Sequence, residues 1–114
     1  MKQFMLIFQG APYDTAELSP DEIEQRMQKW FAWVEDLKQK DIYVAGEALT
    51  NEVKKVSGVK QIVTDAPLVD AKELIGGFFL IKANDWDHAV SLANPYPDYD
   101  IGGAVEVREV MEYE

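Results

Sequence analysis

Two segments of the chain are apolar at every consecutive position. A strand with one solvent-exposed face would instead alternate apolar and polar residues. Residues 4–8 read FMLIF and residues 78–81 read FFLI. In an extended chain, successive side chains point to opposite faces, so both segments predict strands that are apolar on both sides. Such strands must be covered on both faces.

A strong helix start lies between these segments. Ser19 stands at the N-cap position, Pro20 at the first helical position and Glu22 three residues after the cap. This pattern is typical of a capping box. Apolar side chains then follow at helical spacing, flanked by Phe31 and Trp33, which predicts an amphipathic helix to about Lys40. The predicted inward residues are Ile23, Met27, Trp30, Val34 and Leu37.

The remaining elements are shorter. Residues 44–49 predict a second strand, and residues 53–56 and 61–64 predict a hairpin that turns near Ser57-Gly58. A second helix is capped by Asn84 or Asp85 and stopped by Asn94-Pro95-Tyr96-Pro97, and residues 104–113 alternate as a last strand. The predicted inward residues of the second helix are Trp86, Ala89, Val90 and Ala93.

The order of elements predicts a single α+β domain over residues 1–114. It reads β-α-β-(hairpin)-β-α-β, which with right-handed crossovers gives a ferredoxin-like β-α-β-β-α-β arrangement with an extra hairpin. Both helices then cover one face of an antiparallel sheet and leave the other face bare. Because that face is apolar, we expect a second copy of the chain to cover it, forming a homodimer.

Composition and charge exclude several classes of function. The chain has 11 basic and 21 acidic residues, a formal net charge of −10, which argues against nucleic-acid binding. It has no cysteine, so thiol chemistry, disulfides and cysteine-based zinc sites are excluded. No segment approaches the length of a membrane span, and we expect a cytoplasmic protein with no membrane partner.

Two sequence segments resemble a known family. Residues 65–73, DAPLVDAKE, followed by GG at 76–77, resemble the D-G-P-F…K-E…G-G signature of YCII-related (DGPF-type) proteins. Residues 102–108, GGAVEVR, are similar to the closing V-E-V-R strand of that family. The resemblance implies a dimeric α/β-barrel fold, in agreement with the predicted order of elements.

The resemblance also implies a range of activities. Most members are uncharacterised, and a few relatives are proposed lyase-type or dehydrochlorinase-type enzymes that use a His–Asp pair. In this sequence Ala66 and Leu68 replace the signature Gly and Phe, and no histidine matches the proposed catalytic position. The one histidine, His88, is interpreted as a solvated residue in the first turn of the second helix.

Asp65, Lys72 and Glu73 form the best candidate site in the sequence. A carboxylate at a strand end beside a proline turn could serve as a general base, with Lys72 holding an anionic ligand. The alternative is that Asp65 bonds its own turn while Lys72 and Glu73 are solvated.

Three further residues are candidates for ligand binding. Arg108 lies two residues from Glu106 on the last strand, where it could form an ion pair or hold a ligand carboxylate. Tyr13 and Trp30 could line a pocket, although aromatic residues at helical spacing usually pack in a core.

Metal and cofactor sites are not predicted. Asp98 and Asp100 offer two carboxylates, too few for a Ca²⁺ or Mg²⁺ site, and the glycine pairs lack a phosphate-binding motif. We therefore expect no cofactor and no metal.

The sequence leaves two functions open. The first is a small-molecule-binding dimeric domain of uncertain activity; if it is an enzyme, we expect a cofactor-free lyase or isomerase acting on a small organic acid or ring compound, with Asp65 as base. The second is a non-catalytic regulatory or protein-interaction module.

Overall fold

The computed structural model describes residues 1–10, 13, 16–65 and 74–113. Its elements follow the order predicted from the sequence, and the predicted α+β, ferredoxin-like class is confirmed. The elements are β1 (Lys2–Gln9), α1 (Pro20–Gln39), β2 (Tyr43–Ala48), β3 (Lys54–Ser57), β4 (Ile62–Asp65), β5 (Ile75–Ala83), α2 (Trp86–Ser91), a 3₁₀ turn (Tyr99–Ile101) and β6 (Ala104–Glu109).

The main sheet has four antiparallel strands in the order β2-β5-β1-β6. The two central strands, β1 and β5, are the two segments that are apolar on both faces. On one face, Leu6 pairs with Phe79, and both side chains are buried in the core beneath the helices. On the other face, Met5 pairs with Leu80 and Ile7 with Phe78, and these four side chains are half-buried.

Helix α1 begins as its sequence predicts. The Ser19 hydroxyl accepts a hydrogen bond from the Glu22 backbone N–H at 3.2 Å, and the Glu22 carboxylate accepts one from the Ser19 N–H at 3.3 Å. The fully buried residues of α1 are Trp33 and Leu37. The prediction that Met27 faces the core is wrong, because its side chain is 38 % exposed along the rim of a cavity.

Helix α2 has six residues, and only a narrow stripe of it contacts the sheet. Ala89 and Ala93 are buried as predicted, but Val90 is 52 % exposed, so its predicted inward position is wrong. Trp86 is half exposed, yet its ring meets Phe4 edge-on with centroids 5.2 Å apart.

The hairpin of β3 and β4 forms a separate two-stranded sheet. Its register pairs Val56 with Val63 and Ser57 with Ile62. Strand β6 ends at Glu109, four residues before the predicted end at Tyr113. No helix in the described part of the chain has the length and apolar character needed to cross a membrane.

Candidate functional site

A cavity of about 660 Å³ lies between α1 and the β2, β5 and β1 part of the sheet. Its volume falls in the range of small-molecule sites in proteins. Most of its wall is aromatic. The aromatic residues that line it are Phe8, Tyr13, Trp30, Phe31, Tyr43, Phe79 and Tyr96.

A glycine in the middle of β2 lets two aromatic residues of the cavity wall lie close against the strand. A Cβ atom at Gly46 would lie 2.5 Å from the Tyr43 hydroxyl and 2.7 Å from Cδ1 of Phe79. Without that atom, the two rings approach the strand directly. The helix residues Trp30 and Val34, predicted to face the core, pack against it and are half-buried because they also line the cavity.

Phe8 stands at the centre of the aromatic wall. Its ring stacks on Tyr96 with an interplanar angle of 13° and meets Phe79 and Trp30 edge-on, with centroids 4.8 Å and 4.9 Å away. Both arrangements are favourable for aromatic pairs. The rings therefore support one another and give the cavity a defined shape.

One buried carboxylate lines this aromatic cavity. Asp98 is 4 % exposed, and its Oδ1 accepts hydrogen bonds from the Tyr13 hydroxyl at 3.1 Å and from Arg26 Nη1 at 3.2 Å. Burial raises the pKa of Asp98, against the opposing effect of these two donors. Among the described residues, no side chain donates a hydrogen bond to Oδ2.

Arg26 connects helix α1 to the segment that carries Asp98. Its guanidinium binds both carboxylate oxygens of Asp100, each at 2.8 Å, and the carbonyl of Pro97 at 3.0 Å. The hydrogen bond from Arg26 lowers the pKa of Asp100, and the same pair holds the pKa of Arg26 above its usual range. Arg26 therefore fixes the position of Asp98.

Tyr13 links the indole of Trp30 to the Asp98 carboxylate. Trp30 Nε1 donates to the Tyr13 hydroxyl at 2.9 Å, and that hydroxyl donates to Asp98. Burial raises the pKa of Tyr13 to about 12, so its hydroxyl stays protonated at neutral pH. Its proton is thus available to the carboxylate.

A glycine lets Tyr96 approach the backbone that follows Asp98. The Gly103 N–H donates to the Asp98 carbonyl at 3.0 Å, and a methyl group at Gly103 would overlap the Tyr96 hydroxyl. Burial raises the pKa of Tyr96, so this hydroxyl is also protonated at neutral pH. The pair GG at 102–103 therefore helps to shape the cavity wall.

The residues predicted as a site from the sequence lie in different places. Tyr13 and Trp30 line the cavity. Asp65 ends β4 with its side chain 72 % exposed and 3.4 Å from the Lys54 ammonium, and the cavity does not include it. Lys72 and Glu73 lie outside the described residues.

Arg108 lies on the side of the sheet away from the helices. It pairs across the strands with Met5, and its Nη1 is 3.7 Å from Glu106 Oε1. Both side chains are substantially exposed. The ion pair considered from the sequence is thus present, and Arg108 does not line the cavity.

His88 has a local partner at the start of α2. Its Nδ1 accepts a hydrogen bond from the Asn84 N–H at 3.0 Å, and its own N–H is capped by Asp85 at 2.8 Å. Within the described ranges, no group of three or more His, Asp or Glu side chains is placed to hold a metal ion.

Sequence reasoning considered Asp98 only as a metal ligand and missed its place in the cavity. Arg26 carries the signal that could have found it. It directly precedes the apolar position 27 on α1, close to the inward stripe, and a buried arginine requires an acidic partner. The sequence does not show which of the 21 acids that partner is.

Comparison with known families identifies the family of the chain. The model of the YCII-related domain matches residues 3–114. The chain belongs to the YCII-related family. The resemblance predicted from residues 65–73 and 102–108 is therefore confirmed. No curated protein matches the sequence significantly.

A solved structure shares the fold of this YCII-related chain. It is 5-chloro-2-hydroxyhydroquinone dehydrochlorinase from Burkholderia phenoliruptrix AC1100, in complex with 2,5-dihydroxybenzoquinone. The two chains are 18 % identical and superpose with a TM-score of 0.53, over 97 % of this chain and 95 % of the other. The similarity shows a common fold over almost the full length of both proteins.

Proposed function

We propose that this YCII-related protein binds a small ring compound in the aromatic cavity and acts on it as a cofactor-free acid–base enzyme of the lyase or isomerase type. The observation that carries the proposal is the buried carboxylate of Asp98 in an otherwise aromatic wall. A carboxylate with a raised pKa in an apolar site suits proton transfer near neutral pH better than a solvated one does.

The hydrogen bonds of Asp98 support different roles for its two carboxylate oxygens. Oδ1 is held by Tyr13 and Arg26. Oδ2, which no described side chain contacts by a hydrogen bond, accepts a proton from a ligand hydroxyl or from an acidic ring carbon. The proton bound at Oδ2 returns to the ligand at another atom in an isomerisation, or accompanies a leaving group in an elimination.

The aromatic walls support a planar ligand. Offset and edge-on contacts with Phe8, Phe79 and Trp30 favour a ring over a flexible chain of the same size. The structural neighbour is named as a dehydrochlorinase of a hydroxylated ring and is bound to a quinone. We extend to this chain only the ligand class, a small ring compound.

Asp98 takes the role of base that the sequence suggested for Asp65. Asp65 is exposed and paired with Lys54, so its carboxylate lacks the desolvation that would adapt it to proton transfer. Tyr13 positions Asp98, and Trp30 forms part of the wall. Lys72 and Glu73 remain candidates for contacts at the cavity, since Leu74, the next residue, lines it.

A thermal-shift screen of monocyclic phenols and quinones tests the proposal, followed by turnover assays on each compound that binds. Asp98→Asn should abolish turnover. The matched control is Asp100→Asn, because Asp100 also binds Arg26 but its side chain is 66 % exposed and outside the cavity. Equal turnover in wild type and Asp98→Asn would refute the acid–base role. A screen without any bound compound would favour the regulatory module.

We also propose that the protein is a homodimer formed through the open face of the sheet. Met5, Ile7, Phe78 and Leu80 supply an apolar centre on that face. Glu47 pairs with Phe78 on one side of the apolar centre, and Arg108 pairs with Met5 on the other. Analytical ultracentrifugation should give twice the mass of one chain, and a monomer would refute the proposal.

A further inference from the structure

The described lining of the cavity is acidic as well as aromatic. It includes the buried carboxylate of Asp98, and no lysine, arginine or histidine is among the described lining residues. The whole chain has a formal net charge of −10, so the surrounding field has the same sign. A ligand that enters the cavity therefore approaches a negatively charged protein.

Among the described residues, Arg26 is the cation that contacts Asp98, and it already binds other groups of the protein. Arg26 donates to Asp98, Asp100 and the carbonyl of Pro97, and its side chain is 12 % exposed. With both carboxylates ionised, the cluster of Arg26, Asp98 and Asp100 has a formal charge of −1. A ligand carboxylate would have to displace one of these bonds to reach Arg26.

The aromatic faces of the cavity also favour a cationic ligand. Aromatic rings attract a cation through the negative potential above their faces, and Trp and Tyr do so more strongly than Phe. Trp30, Tyr43 and Tyr96 all line the cavity. Next to them, Oδ2 of Asp98 can accept a charge-assisted hydrogen bond from an ammonium group.

We propose that the cavity selects ring compounds that carry a protonated amine over neutral rings, and that it rejects carboxylates of the same size. This inference rests on the proposed function, namely that the cavity binds a small ring compound. It narrows the ligand class, because a small organic acid was one of the two classes that the sequence left open. The selectivity comes from attraction by Asp98 and the rings, and from repulsion of an anion that has no described cation to meet.

Three ligands that share a phenol ring test the inference. Tyramine carries an ammonium group, 4-ethylphenol is neutral and 4-hydroxyphenylacetate carries a carboxylate. Isothermal titration at neutral pH and low salt should give the affinity order tyramine, then 4-ethylphenol, then the carboxylate. We expect about tenfold or more between the first and the second.

The possible outcomes separate this inference from the proposed function. If the three compounds bind equally, or if the carboxylate binds most tightly, the inference is overturned while the proposed cavity function stands. If none of the three compounds binds, and no other ring compound binds in the screen, the proposed function fails as well. The wild-type order decides the question even if a variant does not fold.

Charge-neutral variants locate the source of the selectivity. Asp98→Asn should reduce the affinity for tyramine about tenfold and leave that for 4-ethylphenol within about twofold, whereas Asp100→Asn should change neither by more than about twofold. Lys72 is the one basic residue in the sequence outside the described ranges, so Lys72→Met tests whether a cation from that part of the chain binds anionic ligands. If this variant lost binding of 4-hydroxyphenylacetate that the wild type shows, Lys72 would hold anions and the inference would be wrong.

Discussion

The hydroxyl of Tyr13 donates a hydrogen bond of 3.1 Å to Oδ1 of Asp98, joining the segment after β1 to the segment after α2. The two residues are 85 positions apart in the chain. Neither lies in a regular element, yet both line the cavity between α1 and the sheet. The site therefore depends on contacts between loops that the strands and helices bring together.

Removing the Tyr13 hydroxyl should destabilise the protein modestly. Tyr13→Phe deletes the donor to Asp98 and the acceptor of the Trp30 indole N–H. Leaving a part-buried donor without a partner costs about 1–2 kcal/mol of folding free energy. Urea unfolding of the variant should show this loss, with an unchanged m-value.

The matched control for this variant is Tyr113→Phe, at a tyrosine that is 85 % exposed. Its stability should equal that of the wild type. If Tyr13→Phe were as stable as the wild type, the hydrogen bonds through Tyr13 would not contribute to the fold.

Removing Arg26 should destabilise the protein in a way that depends on pH. Arg26→Met leaves the buried Asp98 without its cation, which costs about 3 kcal/mol at about pH 7. Without Arg26 the pKa of Asp98, already raised by burial, rises further, because the guanidinium is one of the groups that lower it. Among the described residues, the other titratable groups that act on Asp98 are Tyr13, Asp100 and Tyr96.

The direction of the pH dependence follows from linkage. A carboxyl whose pKa is raised on folding stabilises the fold fully below its ordinary pKa, 3.8 for Asp98, and loses that contribution as pH rises through the raised pKa. The pair of Asp100 with Arg26 lowers the pKa of Asp100. It therefore stabilises the fold above pH 3.8, and this contribution is lost as pH falls through the lowered pKa. Both effects make the loss in Arg26→Met smaller at about pH 4 than at about pH 7. Thermal unfolding at the two pH values tests this, and an equal loss at both would contradict it.

Filling the space at Gly46 should reduce both stability and ligand binding. An alanine Cβ there would crowd the Tyr43 hydroxyl and the Phe79 ring, at a cost of about 1–3 kcal/mol. Gly76→Ala is the matched control, since a Cβ at Gly76, which also lines the cavity, has no atom within 4 Å. Chemical unfolding should separate the two variants, and an equal stability of Gly46→Ala and wild type would show that Tyr43 and Phe79 move aside freely.

A charge in the centre of the open sheet face should separate the proposed dimer. Leu80→Lys places an ammonium group between Met5 and Ala45, its neighbours across the strands. Because burying an unpaired charge is costly, we expect the variant to sediment as a monomer. Gln28→Lys, at an exposed position of α1, controls for the change in net charge and should sediment as the wild type does.

The sequence predicted the framework well because the framework follows local patterns. The capping box at Ser19 and Glu22 predicts the start of α1, and the two doubly apolar segments became the central strands β1 and β5. Errors arose where burial depends on distant parts of the chain. Met27 fits the apolar stripe of α1, but its side chain lies at the rim of the cavity and not in the core.

The site was only partly predictable for the same reason. Tyr13 and Trp30 were proposed as wall residues from their chemistry alone, and they do line the cavity. Asp98 was not recognised because its burial depends on Arg26, 72 positions away, and on the fold of the segment after α2. Asp65 drew attention through its place in the DAPLVDAKE segment, but its side chain is exposed.

The most direct test of the account is a ¹³C NMR titration of the Asp98 side-chain carboxyl, with and without tyramine, using Asp100 as the internal reference. In the free protein, the pKa of Asp98 should lie above 3.8 and that of Asp100 below it. Tyramine should lower the pKa of Asp98, because the bound ammonium favours the ionised carboxylate, and leave that of Asp100 in place. Identical Asp98 titration curves with and without saturating tyramine would contradict the claim that this carboxylate receives the ligand.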